Sequence, residues 1–162
     1  MTQVTNLGIT GHRGLPPETA RLVDRAIREI LHGYEPRSLV GISALADGAD
    51  QLFARAVLDH GGRLEVIVPA AKYREGLPVS AHGEYDRLFS LAEKVHRLNY
   101  TESNEQAHMA ASEYMVSFAD ELLAVWDGEP SRSYGGTADV VAHARKLGVP
   151  VSVVWPEGAS RD

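Results

Sequence analysis

Short apolar runs alternate with amphipathic segments along almost the entire chain, and this alternation constrains the fold more than any other feature of the sequence. Strands are predicted at residues 4–10, 38–43, 64–68, 95–98, 122–126 and 151–155. These segments carry apolar runs rather than strict alternation, as is typical of strands that are covered on both faces, and the segment 95–98 is the weak one. Strands separated by helices indicate a parallel sheet with right-handed crossovers. We therefore predict an α/β fold, a three-layer sandwich around a mostly parallel central sheet.

The segments between the strands carry helix signals. Pro17 suits the start of a first helix. Asp47 is expected to cap the second helix, and Ser103 with Gln106 resembles a capping box at the start of a later one. Residues 70–82 show little periodicity, so they are predicted to form a loop over the sheet edge or over a ligand site.

Composition narrows the class of protein. With 162 residues, of which 44% are hydrophobic and 23% charged, the chain is expected to form a single domain spanning residues 1–162. It contains no cysteine, which excludes disulfides, thiolate metal sites and cysteine nucleophiles. The apolar runs are far shorter than a membrane span and no secretory signal is visible, so a cytoplasmic location without a membrane partner is expected.

Charge and histidine spacing limit the partners further. The formal net charge of −6 disfavours broad nucleic-acid binding, which needs a basic face. A small anionic ligand is compatible with this charge, because a few amide groups and one arginine can hold a phosphate. The seven histidines do not have the spacing of a helix or strand chelate, so no metal is predicted, and no cofactor either.

The clearest functional signal lies near the end of the chain, in residues 122–141. An apolar run ends at Asp127, a polar loop follows, and Gly135-Gly136-Thr137 opens an amphipathic segment. A strand, a loop and a helix N-terminus in this order suit an anion, because the free amides of the first helical turn and the positive end of the helix dipole face the loop. A tight turn with a threonine cap is the structural alternative.

Three loops are expected to meet at one edge of the sheet. Residues 11–14, 43–50 and 127–137 each follow a predicted strand. In sheets of this type, ligands bind beyond the carboxyl ends of the strands, where the strand order reverses. Arg13 lies at such an end, and it either binds a ligand or pairs with a surface carboxylate. His12 is either a hydrogen-bonded structural residue or a base.

Four segments in and around these loops carry a family resemblance. They are Thr10–Arg13, Gly41–Asp50, Ala119–Gly128 and Gly135–Asp139, and they follow one another in the expected order. On these segments the sequence resembles the SLOG superfamily. This Rossmann-like group includes the Lonely-guy phosphoribohydrolases, the DNA-processing protein A domain and many nucleotide-sensing proteins. The resemblance implies a single Rossmann-like domain.

The resemblance also implies a ligand and its contacts. A nucleotide or a nucleotide-derived molecule is expected, with its phosphate against the glycine-threonine turn. Arg13 and Gly11 would flank the opposite wall, and Asp127 would either hold a ribose hydroxyl or form a turn. Residues 43–50 would shape the loop between. The ligand-binding candidates are therefore Gly11, His12, Arg13, Ser43, Gly48, Asp50, Asp127, Gly135, Gly136 and Thr137.

Two departures from the enzymatic relatives favour binding over catalysis. Those relatives have a glutamate where Val140 stands and an arginine roughly where Ala111 stands. The leading hypothesis is a binding protein for a nucleotide or nucleotide-sugar that acts as a sensor or regulatory module. The alternative is an enzyme that cleaves or transfers an N-glycosidic bond, either phosphoribohydrolase-like or deoxyribosyltransferase-like. Its candidate catalytic acids are Asp139 and Asp127.

Larger partners are considered as well. A DNA-associated scaffold is a third hypothesis, which the acidic balance of the chain disfavours. The resemblance favours a homodimer or a higher homo-oligomer, and the apolar helix predicted at residues 103–119 is the surface expected to form it.

Overall fold

The computed structural model describes residues 3–161, and a six-stranded sheet lies at its centre. The strands are β1 (Thr5–Gly11), β2 (Leu39–Ser43), β3 (Arg63–Ala70), β4 (Lys94–Tyr100), β5 (Glu121–Val125) and β6 (Val151–Val154). Every pair of neighbouring strands is parallel. Their order across the sheet is β4-β3-β2-β1-β5-β6, so the winding direction reverses between β1 and β5.

Helices cover both faces of the sheet. They are α1 (Pro17–Leu31), α2 (Ala49–His60), α3 (His82–Ser90), α4 (Glu105–Phe118) and α5 (Thr137–Lys146). Helices α1 and α2 pack over Ile9 and Leu123, whereas α4 and α5 pack over Ile42 and Leu122. Leu122 and Leu123 are adjacent on β5 and belong to opposite layers because side chains alternate along a strand. The predicted three-layer α/β sandwich is confirmed.

The starts of α2 and α4 differ from the sequence-based prediction. The prediction that Asp47 caps α2 is wrong: the N-cap is Gly48, and the Asp47 carboxylate accepts hydrogen bonds from Arg13 Nε at 2.9 Å and from the Gly14 amide at 3.0 Å. The N-cap of α4 is Asn104, one residue after the predicted Ser103, and its side chain accepts from the Ala107 amide at 2.9 Å. In both cases the predicted cap has another partner: Asp47 is bound by Arg13, and the Ser103 hydroxyl lies 2.8 Å from His108 Nε2.

Helix α4 was predicted to form an oligomer surface. It buries Ala107, Met109 and Met115 against the sheet, while 40% of Tyr114 is exposed. The oligomer itself stays a prediction. None of the helices in residues 3–161 is both long and apolar enough to cross a bilayer.

Candidate functional site

The reversal of strand order places the carboxyl ends of β2, β1 and β5 side by side. The loops that follow these strands surround a cavity of about 270 Å³. Its wall is formed by Ile9–Arg13, Ala46, Asp50, Tyr73, Glu105, His108, Ser133–Thr137 and Arg161. All three loops that were expected to meet at this edge contribute to the wall. The helix starts of α2, α4 and α5 also face this space, through Asp50, Glu105 and Thr137.

Seven of the ten ligand-binding candidates line this cavity, namely Gly11, His12, Arg13, Asp50, Gly135, Gly136 and Thr137. Ser43, Gly48 and Asp127 lie outside the lining. Ser43 is fully buried, where its hydroxyl donates to the Asp50 carbonyl oxygen at 3.0 Å and accepts from the Leu45 amide at 3.1 Å. Gly48 has a φ of +90°, and a Cβ there would lie 2.7 Å from the His12 carbonyl oxygen. Both residues therefore shape the loop that carries Asp50.

The first turn of α5 is only partly open. The Gly135 amide donates to Asp139 Oδ2 at 2.9 Å, and the Gly136 amide donates to the Ser133 carbonyl oxygen at 3.2 Å. The Asp139 amide donates to Ser131 Oγ at 3.1 Å. Within residues 3–161, the amides of Thr137 and Ala138 have no hydrogen-bond partner. Of the three predicted donors, Gly135 and Gly136 have their amides occupied, whereas the Thr137 amide is open, and the Ala138 amide is open in addition.

His12 is held beneath this turn. Its Nε2 accepts a hydrogen bond from the Asp127 amide at 3.0 Å and lies 3.1 Å from Asp127 Oδ1, while its Nδ1 lies 3.4 Å from the Thr137 hydroxyl. Burial lowers the pKa of His12, and the Arg161 charge acts in the same direction. A neutral imidazole that accepts at Nε2 carries its proton on Nδ1, directed at the Thr137 oxygen. The hydroxyl hydrogen of Thr137 is then available to a ligand.

Arginines surround the mouth of the cavity. Arg13 and Arg161 are part of its wall, and together with Arg132 they line the adjoining surface depression. Arg13 is oriented by Asp47, whose Oδ1 lies 2.8 Å from its Nη2, and 45% of its side chain is exposed. Carboxylates accompany these arginines, since Asp47 pairs with Arg13 and Asp127 Oδ2 lies 3.9 Å from Arg161 Nη1. The guanidinium groups at the mouth can donate charge-assisted hydrogen bonds to an anionic ligand.

The two candidate catalytic acids lie outside the cavity lining. Asp139 caps the Gly135 amide. Burial opposes the ionisation of Asp127, but the hydrogen bond from the Glu129 amide and the neighbouring His12 outweigh it and lower its pKa. A carboxyl group with a lowered pKa is a poor proton donor at neutral pH.

Asp50 is the aspartate of the cavity wall. Burial raises its pKa from the ordinary 3.8 to about 7, although the Ala46 amide and Arg13 act in the opposite direction. Its Oδ2 accepts from the Ala46 amide at 3.3 Å, and its Oδ1 has no hydrogen bond within the described part of the chain.

Four further residues of the wall were not singled out by sequence analysis. They are Tyr73, Glu105, His108 and Arg161. Tyr73 lies in the segment 70–82 that was expected to cover the sheet edge or a ligand site, so its non-periodic pattern was a usable signal. Arg161 is brought to the cavity by the path of the chain after β6, which no local pattern indicates. The described residues contain no cluster of three or more acidic or histidine side chains that could hold a metal ion.

Comparisons with known proteins bear on the fold. No family model and no curated protein matches the sequence. Among solved structures, the chain is similar to DNA processing protein A from Streptococcus pneumoniae, with 16% identity and a TM-score of 0.69 over 96% of this chain and 52% of that protein. It is also similar to the Helicobacter pylori DNA processing protein A, described for its single-stranded DNA binding mode, with 15% identity and a TM-score of 0.65 over 98% and 69% of the two chains.

A molybdenum cofactor binding protein from Rippkaea orientalis has the same fold. It shares 16% identity with this chain, and the TM-score is 0.60 over 94% of this chain and 77% of that one. The chain spans about half the length of the pneumococcal protein. These similarities confirm the predicted Rossmann-like fold.

Proposed function

We propose that this chain, which has a Rossmann-like fold, binds a nucleotide or nucleotide-derived small molecule in the cavity at the carboxyl ends of β1, β2 and β5, and acts as a sensor or regulatory module. The observation that carries the proposal is the open start of α5. The Thr137 and Ala138 amides have no partner within residues 3–161, and Thr137 lies on the cavity wall. Free amides at a helix N-terminus, together with the helix dipole, stabilise a phosphate group.

Two side chains add to these amides. The Thr137 hydroxyl is supported from below by His12, which leaves its hydrogen free to be donated to a phosphate oxygen. Arg13 is fixed by Asp47 on the other side of the cavity and contributes charge-assisted hydrogen bonds. A phosphate between the two would be bound from two directions.

The similar structures support this class of ligand. One of them is a molybdenum cofactor binding protein, and another is described for binding single-stranded DNA, a polymer that carries phosphate groups. Glycosidic bond cleavage has less support here. Its candidate acids Asp139 and Asp127 lie outside the cavity lining, where they accept hydrogen bonds from the Gly135 and Glu129 amides.

Isothermal titration calorimetry with inorganic phosphate and with AMP tests the proposal. We expect both to bind, and we expect Arg13→Ala to weaken both by about 10- to 100-fold, because hydrogen bonds to charged groups contribute about 1.5–3 kcal/mol. Arg21→Ala is the matched control. Arg21 also pairs with a carboxylate, Glu18, but it lies on the exposed side of α1, away from the cavity.

The result that overturns the proposal is absence of binding by either probe at millimolar concentration, or equal affinity in the Arg13 and Arg21 variants. Two further arms address the alternatives. Release of free base from AMP during the titration would indicate the glycosidase. A single-stranded oligonucleotide that binds more tightly than AMP would indicate a nucleic-acid partner.

A further inference from the structure

Tyr73 presents a polar group to the cavity that the fold itself does not use. Only 4% of this residue is exposed, and its ring packs edge-on against His108, with 5.6 Å between the ring centroids. Its side chain forms part of the cavity wall. Within residues 3–161, the Tyr73 hydroxyl makes no hydrogen bond, yet it is not cut off from the solvent space of the cavity.

The protein therefore leaves this hydroxyl free to form hydrogen bonds with a molecule that occupies the cavity. A ligand that fills the cavity beside this phenol must offer it a hydrogen bond, because a polar group covered without a partner costs free energy. A hydroxyl in this position is therefore suited to a ligand that supplies the missing partner.

Asp50 provides a second open group on the same wall. Its Oδ1 has no hydrogen bond within the described residues, whereas Oδ2 is occupied by the Ala46 amide. Asp50 and Tyr73 line the same cavity, and the Asp50 charge adds to the larger effect of burial in raising the pKa of Tyr73. Together they offer one oxygen that accepts hydrogen bonds and one hydroxyl that both donates and accepts.

Asp50 and Tyr73 lie in the same cavity as the α5 turn, and this arrangement indicates how a ligand would be oriented. Asp50 lies in the first turn of α2 on one face of the sheet, while Thr137 lies in the first turn of α5 on the other face. The cavity joins them across the end of β1. A ligand held by its phosphate at α5 therefore extends its next group toward Asp50 and Tyr73.

We infer that Tyr73 and Asp50 form a hydroxyl-binding subsite for the sugar of a phosphorylated pentose, such as the ribose 5-phosphate unit of a nucleotide. A vicinal diol suits the pair, because one hydroxyl can donate to the carboxyl oxygen while the other exchanges a hydrogen bond with the phenol. The cavity volume of about 270 Å³ is slightly below the usual range of small-molecule pockets, which suits a ligand as small as a sugar phosphate. This inference rests on the proposed phosphate site at α5.

Calorimetry with inorganic phosphate, ribose 5-phosphate, 2-deoxyribose 5-phosphate and AMP tests the inference. We expect ribose 5-phosphate to bind at least tenfold more tightly than phosphate, and the 2-deoxy sugar to lose part of this gain. Tyr73→Phe should weaken ribose 5-phosphate by about tenfold, the effect of one hydrogen bond. Its affinity for inorganic phosphate should not change. If Tyr73→Phe also loses about tenfold in its affinity for AMP, the subsite binds the ribose of a nucleotide. If only the affinity for ribose 5-phosphate falls, the subsite binds free sugar phosphates.

Tyr85→Phe is the matched control. Tyr85 is a buried tyrosine whose ring lies 6.2 Å from that of Tyr73, but it lies outside the cavity lining. Removal of the Tyr85 hydroxyl should leave the affinities for inorganic phosphate and for ribose 5-phosphate unchanged. The thermal midpoints of the two variants without ligand show that each remains folded.

Three results would overturn the inference. They are equal binding of phosphate and ribose 5-phosphate by the wild-type protein, equal effects of Tyr73→Phe and Tyr85→Phe, or a loss of phosphate affinity in Tyr73→Phe as large as the loss of ribose 5-phosphate affinity. In each of these cases inorganic phosphate still binds, so the proposed phosphate site survives. If phosphate itself does not bind, the proposed function fails and the subsite fails with it.

Discussion

The first turns of α4 and α5 face the same cavity, yet they treat their free amides differently. At α4, the Asn104 side chain accepts from the Ala107 amide at 2.9 Å, and Glu105 adds a negative charge beside it. At α5, the N-cap is Gly136, which has no side chain, and the Thr137 and Ala138 amides stay without a partner in the described residues. The N-cap residue therefore decides whether a helix start is closed by the protein or left open to an anion.

Closing the start of α5 should give the largest effect. Gly136 has a φ of −68°, which any residue can adopt, so Gly136→Asp acts through its side chain. The new carboxylate would cap the turn and repel a phosphate, and its Cβ would displace Ser131, whose Oγ lies 2.8 Å away. We expect phosphate affinity measured by calorimetry to fall by more than about 100-fold, or about 2.7 kcal/mol.

Gly83→Asp is the control for added charge, because Gly83 lies in the first turn of α3 and a Cβ there meets nothing within 4 Å. Phosphate affinity should be nearly unchanged in that variant. If Gly136→Asp binds phosphate as tightly as the wild type, the anion does not bind at α5.

The start of α2 is a third case, because its first-turn acid, Asp50, is half-buried and lies on the cavity wall. The Asp50 carboxyl has an ordinary pKa of 3.8 and a pKa of about 7 in the folded protein. Between these values the folded state holds a proton that the unfolded state has released, so the free energy of unfolding falls as the pH rises from about 4 to about 7. Asp50→Asn removes this dependence and retains an acceptor for the Ala46 amide.

We therefore compare the free energy of unfolding of Asp50→Asn with that of the wild type at two pH values. The difference, variant minus wild type, should be about 2 kcal/mol larger at about pH 8.5 than at about pH 5. Urea unfolding at both pH values measures the difference. The neighbouring groups Arg13, Asp47, Tyr73 and His108 are present in both proteins, so their own titration largely cancels. A difference that is independent of pH would mean that Asp50 is already ionised when folded at pH 5.

Opening the start of α4 should have the smallest effect. Asn104→Ala removes the side chain that caps the Ala107 amide, and the loss of such a cap destabilises a protein by about 1 kcal/mol. We expect a corresponding shift in the urea midpoint with no gain in phosphate affinity, because Glu105 remains beside the exposed amide. A marked gain in affinity would show that α4 competes with α5 for the anion.

Much of this architecture follows from local pattern. The strand positions and the α/β class are readable because burial on both faces requires continuous apolar runs, as in Leu122–Val125. The start of α5 at Thr137 is also as expected from the two glycines before it. Asp47 was misassigned because a capping aspartate and an ion-paired aspartate have the same local pattern, and only the fold brings Arg13 within 2.8 Å.

The remaining parts of the candidate site depend on contacts between distant segments. Tyr73 and Arg161 come from a non-periodic loop and from the segment after β6, and neither position carries a periodic signal. The raised pKa of Asp50 depends on burial that residues near it in sequence do not specify. The partners of the Gly135 and Gly136 amides likewise depend on how the loop before α5 closes.

By itself, the sequence determined the order of strands and helices, the three-layer class and the glycine-rich entry to α5, because hydrophobic periodicity and backbone freedom act over a few neighbouring residues. Only the tertiary structure decided which amides of that entry stay open, which carboxylate faces the cavity, and which arginines surround it. These depend on hydrogen-bond partners and burial supplied from far along the chain, and no local pattern encodes them.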